Sequence, residues 1–217
     1  KKDLSLLGLK EENIKIVYCG IDQNKYIYRK EKKEFGIILY MGRLKRYKSV
    51  DHLIKVVPLL LKKRSDFKII IAGDGDARDE LIKLARKERV ESFIEFKFDV
   101  SEQEKIELYQ RAWLLVQPSV KEGWGLTVIE ANACGTPSVA ARSPGLIESV
   151  QDGKTGYLYN YGDLEDLCRK IERLLSNRKE WEGFSQASIE WAKRFSWEES
   201  ANEMESILTA FLSDQKR

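Results

Sequence analysis

The chain has 217 residues, 42% of them hydrophobic, which suits one large or two small globular domains with a real core. Lys+Arg 38 against Asp+Glu 35 leaves a net charge of +3, and that near-balance argues against a dedicated nucleic-acid binder, which needs a strong basic excess. Three scattered cysteines (Cys19, Cys134, Cys168) match no metal or disulfide spacing and read as reduced and intracellular.

No apolar run approaches ~18 residues, so no transmembrane helix is expected, and no signal peptide opens the chain. The sequence starts without methionine and reads as a fragment of something longer. Residues 22–34, "DQNKYIYRKEKKE", are polar and charge-dense, as an interdomain connection would be. From there short β-rich runs alternate with helical patterns. "FGIILYM" (35–41) and "FKIIIAG" (67–73) are near-continuous apolar runs, as buried parallel strands are. "FIEFKF" (93–98), "WLLVQPS" (113–119), "TPSVAA" (136–141) and "TGYLY" (155–159) continue the series. Helical stretches lie between, over about 49–63, 77–89, 102–111 and 126–134, and Pro58 is expected to kink or bound the first. This alternation predicts a parallel sheet with helices on both faces, and ligands at the carboxyl ends of its strands.

From residue 163 the pattern is helical. Leu164, Leu167, Cys168, Ile171, Leu174 and Leu175 fall on one face. In the last helix Ser196 and Glu199 form a capping-box pattern, and Trp197, Ala201, Met204, Leu208 and Phe211 make a stripe suited to a core or a docking surface.

Three stretches carry chemistry. In "KEGWGLTVIEANACG" (121–135), Gly123 and Gly125 let the backbone pass close to a ligand, and a helix beginning near Leu126 turns its amides toward an anion. Glu130, a turn inside that helix, is an acceptor suited to a vicinal diol such as a ribose, and Glu122 suits a second polyol. Diol, phosphate and polyol in that order describe a nucleotide diphosphate sugar. In "YMGRLKRYKSV" (40–50), Gly42 admits a ligand to the backbone, Arg43 offers a bidentate fork to phosphate oxygens, and Lys48 adds a point charge. Four cations cannot all converge there, so Lys45 and Arg46 read as solvated. "IIIAGDGDARDEL" (69–81) imitates a D-x-D metal motif, but reads as a turn in which Asp76 caps the following helix. The single histidine, His52, sits inside a helix and reads as structural.

The segments "GRLKRYK", "IIIAGDGDARDEL", "VSEQEKIELYQRAWLLVQPSVKEGWGLTVIEANACGTPSVA" and "GLIESVQDGKTGYLY" follow one another in the order found in family 4 glycosyltransferases, which have the GT-B fold. The resemblance spans about residues 14 to 212 and is to the C-terminal, donor-binding half. It implies an α/β, Rossmann-like domain over 34–195, preceded by the end of another domain and a crossover over 1–33. A C-terminal helix over 196–217 would reach back to a missing N-terminal acceptor-binding domain.

Position by position, the resemblance makes Glu130 the ribose-binding member of the E-x7-E motif and Glu122 the member beside the donor sugar. Arg43 and Lys48 hold the diphosphate, and the loop from Gly123 through Trp124, Gly125 and Leu126 contacts phosphate and sugar. Gly42 and Thr127 join the donor-binding set, and Phe98 stands where the family usually has glycine, near the base-binding wall. Ser49 and Asp76 stand where Gly and Pro are common.

What this implies is a retaining transfer from a UDP- or GDP-sugar to a glycan or lipid-linked acceptor, with no cofactor and no metal. The catalytic set is Glu122, Arg43 and Lys48. The partners implied are the nucleotide-sugar donor and the missing domain, with no nucleic acid; the enzyme would be cytoplasmic and peripheral to the membrane's inner face. Another GT-B enzyme (an epimerase or a phosphorylase) and a non-catalytic nucleotide-sugar binding module remain as alternatives.

Overall fold

The structure, a computed structural model, describes residues 2–214. After a short helix α1 (Lys2–Ser5), strands and helices alternate: β1 (Ile37–Met41), α2 (Asp51–Leu61), β2 (Lys68–Ala72), α3 (Arg78–Glu88), β3 (Ile94–Lys97), α4 (Glu102–Arg111) and β4 (Leu114–Gln117). Then come α5 (Leu126–Ala133), β5 (Ser138–Ala141), α6 (Leu146–Ser149), β6 (Gly156–Tyr159) and three helices, α7 (Leu164–Ser176), α8 (Arg178–Ala192) and α9 (Trp197–Asp214).

The six strands form one sheet in the order β3-β2-β1-β4-β5-β6, every neighbouring pair parallel. Ile38, Leu39, Tyr40, Ile69, Ile71, Leu114, Leu115 and Val116 are fully buried, because helices cover both faces. Burying each such aliphatic side chain contributes roughly 1.5–3 kcal/mol. Right-handed crossovers from β1 outward to β3 put α2 and α3 on one face; those running from β4 to β6 put α5 and α6 on the other. The direction of travel reverses between β1 and β4, and the loops leaving their carboxyl ends open a crevice there.

Each predicted strand and each helix between them is present within a few residues of its expected bounds. The α7 stripe is buried from Leu167 to Leu175 as its periodicity requires. The stripe on α9 is not buried: Trp197, Met204, Leu208 and Phe211 all lie exposed.

Three local expectations are corrected. α2 runs through Pro58 to Leu61, so the proline does not bound the helix; it only lacks the N–H that would donate to Ile54 O. Asp76 does not cap α3. That helix starts at Arg78 with Ala77 before it and no side-chain cap, while Asp76 Oδ2 takes a 2.8 Å hydrogen bond from Lys45 Nζ. A complete capping box sits instead at Ser101 and Glu104 ahead of α4; Ser196 receives the Glu199 amide at 3.0 Å. Residues 22–34 are fastened to the domain: Tyr26 is buried, Gln110 donates to the Ile27 carbonyl, and Lys33 donates to the carbonyls of Tyr109 and Ala112 at the end of α4.

Candidate nucleotide-sugar site

The loop that follows β1 is doubled against the loop that follows β2. Gly42 N donates to Ala72 O, Leu44 N to Asp74 O, and Ala77 N to Leu44 O, at 3.0, 2.9 and 3.0 Å. Gly73, at φ +127°, makes this approach feasible, since a Cβ there would lie 2.1 Å from the Gly42 carbonyl oxygen. The Tyr40 hydroxyl donates to Arg43 O at 2.9 Å and pins the same loop from below. Arg43 itself is exposed, and its guanidinium donates to the Tyr47 hydroxyl at 3.0 Å. Among the described residues it has no carboxylate partner, so its charge is uncompensated.

Lys48 closes a 3-10 turn (Arg46–Lys48) five residues beyond Arg43. Its ammonium lies 2.6 and 2.7 Å from the two carboxylate oxygens of Glu122, and the Ser119 hydroxyl donates to Glu122 Oε1 at 2.6 Å. The loops after β1 and β4 are stitched by Val120 N to Tyr47 O at 2.9 Å, and Glu122 N reaches Pro144 O beyond β5 at 2.9 Å. Lys48 and Glu122, expected at different parts of the donor, thus meet each other in an ion pair.

Gly125, at φ +86°, turns the chain into α5, and a Cβ there would meet Ser149 Oγ at 2.5 Å. The first amides of α5, at Leu126 and Thr127, have no acceptor within the helix, which leaves a partial positive charge facing the crevice. Between them, Trp124 turns its ring onto Tyr18 of the crossover segment (centroids 4.1 Å) and toward Phe195 (5.0 Å). Gln117, the last residue of β4, spans the switch point. Its Nε2 donates to Met41 O at 2.8 Å and to Thr127 Oγ1 at 2.9 Å, while its buried Oε1 has no partner.

Glu130 is only 6% exposed. The Lys105 ammonium donates to its Oε1 at 3.1 Å and the Tyr109 hydroxyl to Oε2 at 2.8 Å, while the Tyr26 hydroxyl shares its one hydrogen between Glu130 Oε1 at 2.9 Å and Glu102 Oε1 at 2.7 Å. A carboxylate offers about four acceptor positions, so Oε2 keeps one for a ligand, and Oε1 keeps a second when the Tyr26 hydrogen goes to Glu102. A diol can therefore place both hydroxyls on it while the Tyr26 hydrogen rests on Glu102. Burial and the carboxylate raise Tyr109 well above the ordinary phenol value; burial, then Glu102 and Glu130, do the same to Tyr26. Burial pulls Lys105 down, but Glu102 and Glu130 outweigh it and hold the amine above its usual value. All three therefore stay as donors.

Phe98 follows the carboxyl end of the outermost strand β3, with the Arg78 guanidinium 3.6 Å over its ring. His52 is structural: burial lowers its pKa, and Nδ1 meets the Tyr159 hydroxyl at 3.0 Å. Tyr26, Ser119, Tyr47, Lys105, Tyr109 and Gln117 were not singled out from sequence. Only the i, i+4 spacing of Lys105 with Tyr109, both inside α4, hinted at a shared face.

A doubly wound sheet whose switch point gathers an exposed arginine, a lysine and a helix amino end defines a Rossmann-type α/β domain with an anion-receiving crevice. The chain belongs to the glycosyl transferases group 1 family, which matches residues 9–191. It is 30% identical over 220 residues to a D-inositol 3-phosphate glycosyltransferase of Corynebacterium aurimucosum, covering 93% of this chain and 52% of that protein. It superimposes on the crystal structure of Anabaena HepE in complex with UDP with a TM-score of 0.86, at 22% identity, over 96% of this chain and 61% of the other. On the C-terminal domain of a group 1 family glycosyl transferase from Francisella tularensis the TM-score is 0.71, at 22% identity, over 80% of this chain and 97% of that one. The fold is GT-B-type, and the chain spans about half the length of the curated relative it matches.

Proposed function

We propose that this chain is the donor-binding half of a retaining glycosyltransferase, which transfers a sugar from a nucleotide diphosphate sugar to a glycan or lipid-linked acceptor. The observation that carries the reading is the convergence of Arg43, Lys48, Glu122 and the amino end of α5 at the β1/β4 switch point. Arg43 brings an uncompensated charge to the diphosphate. Lys48 moves from Glu122 to a phosphate oxygen, and the released carboxylate accepts hydrogen bonds from the sugar. These cations and the α5 amides stabilise charge on the departing diphosphate. Glu130 uses its open acceptor positions for the ribose hydroxyls. UDP is the first nucleotide to test, because a structural neighbour of this chain was crystallised with it. The acceptor is supplied by the missing N-terminal domain, against which the exposed α9 stripe packs, and the whole enzyme sits at the membrane's inner face.

A thermal-shift panel of UDP-, GDP- and ADP-sugars, with and without magnesium, tests the donor half of this reading. UDP-sugars are expected to raise the melting temperature equally in both conditions. No shift with any nucleotide sugar, or a shift that needs magnesium, overturns it.

A further inference from the structure

Gln117 holds the orphaned acceptor of the crevice, and its position constrains a neighbour. A backbone carbonyl only accepts, so the side of the Gln117 amide that faces Met41 O at 2.8 Å must be its nitrogen. That same nitrogen meets Thr127 Oγ1 at 2.9 Å. The threonine oxygen is therefore an acceptor toward Gln117, and its hydroxyl hydrogen must point elsewhere. Among the described residues no protein oxygen receives it. Thr127 is half-buried in the first turn of α5, beside the unsatisfied amides of that turn.

We propose that Gln117 is a positioning residue for the donor diphosphate: anchored on the end of β1, it turns Thr127 into a hydroxyl donor aimed at a phosphate oxygen. Gln117 does not itself touch the ligand in this role. It removes the alternative rotor state in which the threonine hydroxyl donates inward, and so adds an oriented hydrogen bond to those of the α5 amides. The inference rests on the donor-binding reading above, in which the resemblance already places Thr127; what it adds is the role of Gln117, which neither the motif spacing nor the resemblance assigns.

The test is calorimetry of the chain with UDP and with uridine, which lacks the phosphates. The variants are Gln117→Met, Thr127→Val, Thr127→Ser and the double variant Gln117→Met/Thr127→Val, with circular dichroism to confirm folding. Thr127→Val should weaken UDP by about ten-fold, the loss of one hydrogen bond to a charged group, and Thr127→Ser should restore it. Gln117→Met should weaken UDP several-fold in the wild-type background and have no further effect in Thr127→Val. Uridine affinity should not change. If Gln117→Met leaves UDP binding intact, or weakens it equally with and without the threonine, or weakens uridine as much as UDP, the positioning role is wrong. Should Gln117→Met fail to fold, the Thr127 pair still decides: equal UDP affinity for Val and wild type overturns the inference. Arg43→Ala separates this from the broader reading. UDP binding that Arg43→Ala weakens while the Gln117 and Thr127 variants do not sinks the inference alone; no UDP binding by the wild-type chain sinks both.

Discussion

Glu122→Gln should make the chain bind UDP more tightly, although it removes a residue of the proposed site. The Glu122 carboxylate holds the Lys48 ammonium at 2.6 and 2.7 Å, and the two side chains are 15% and 13% exposed, so water screens the pair little. An incoming diphosphate has to win that ammonium from the carboxylate. A hydrogen bond to a charged group contributes about 1.5–3 kcal/mol, and replacing the carboxylate by a neutral amide removes roughly that much competition. At about 1.4 kcal/mol per decade, UDP affinity should rise by on the order of 10- to 100-fold. Calorimetry on folded wild type and variant reads this directly. UDP-glucose should gain less than UDP, because an amide is a poorer acceptor for the sugar hydroxyls that Glu122 is assigned. With Lys48→Met in the background the gain should vanish. A folded Glu122→Gln protein that binds UDP no better than wild type would refute the placement of Lys48 on the diphosphate.

Arg43→Ala should weaken UDP by about 10- to 100-fold while the melting temperature stays within error, since the side chain is exposed and donates to a phenol alone; unchanged UDP affinity removes Arg43 from the site. Glu130→Gln should weaken uridine and UDP but leave pyrophosphate binding alone, and should cost about 1–3 kcal/mol of stability, because an amide nitrogen is turned toward hydroxyl or ammonium donors. Equal weakening of pyrophosphate and UDP would show that Glu130 acts on the site's shape and not on the ribose. Gly73→Ala should lower stability by about 1–3 kcal/mol and also reduce UDP affinity, since a Cβ 2.1 Å from the Gly42 carbonyl forces the Arg43 loop outward; chemical denaturation and calorimetry on one preparation check both.

The sheet was readable because its strands are buried on both faces: "IILYM" and "KIIIA" are apolar without alternation, and only helices above and below allow that. The crevice was readable for a similar reason, because glycines and cations after a buried strand have few other uses. What could not be read is how the charged groups pair. Lys48 and Glu122 are 74 positions apart, Tyr26 and Glu130 are 104 apart, and no local pattern reports either contact. The misplaced cap at Asp76 has the same origin, since Lys45, 31 positions away, competes for its carboxylate. Helix α6 escaped notice because four residues are too few to show a period.

The Arg43 loop is a double layer, held to the β2–α3 turn by backbone bonds on both sides of the arginine and by a phenol from β1 beneath it. Capturing a ligand there freezes a side chain and little else. The ordering entropy is then that of a few rotors, about 1–2 kcal/mol, where a loose loop of similar length would lose about that much per residue. Association at this crevice should therefore proceed as a rigid-body encounter, quick and with little folding of the backbone around its guest.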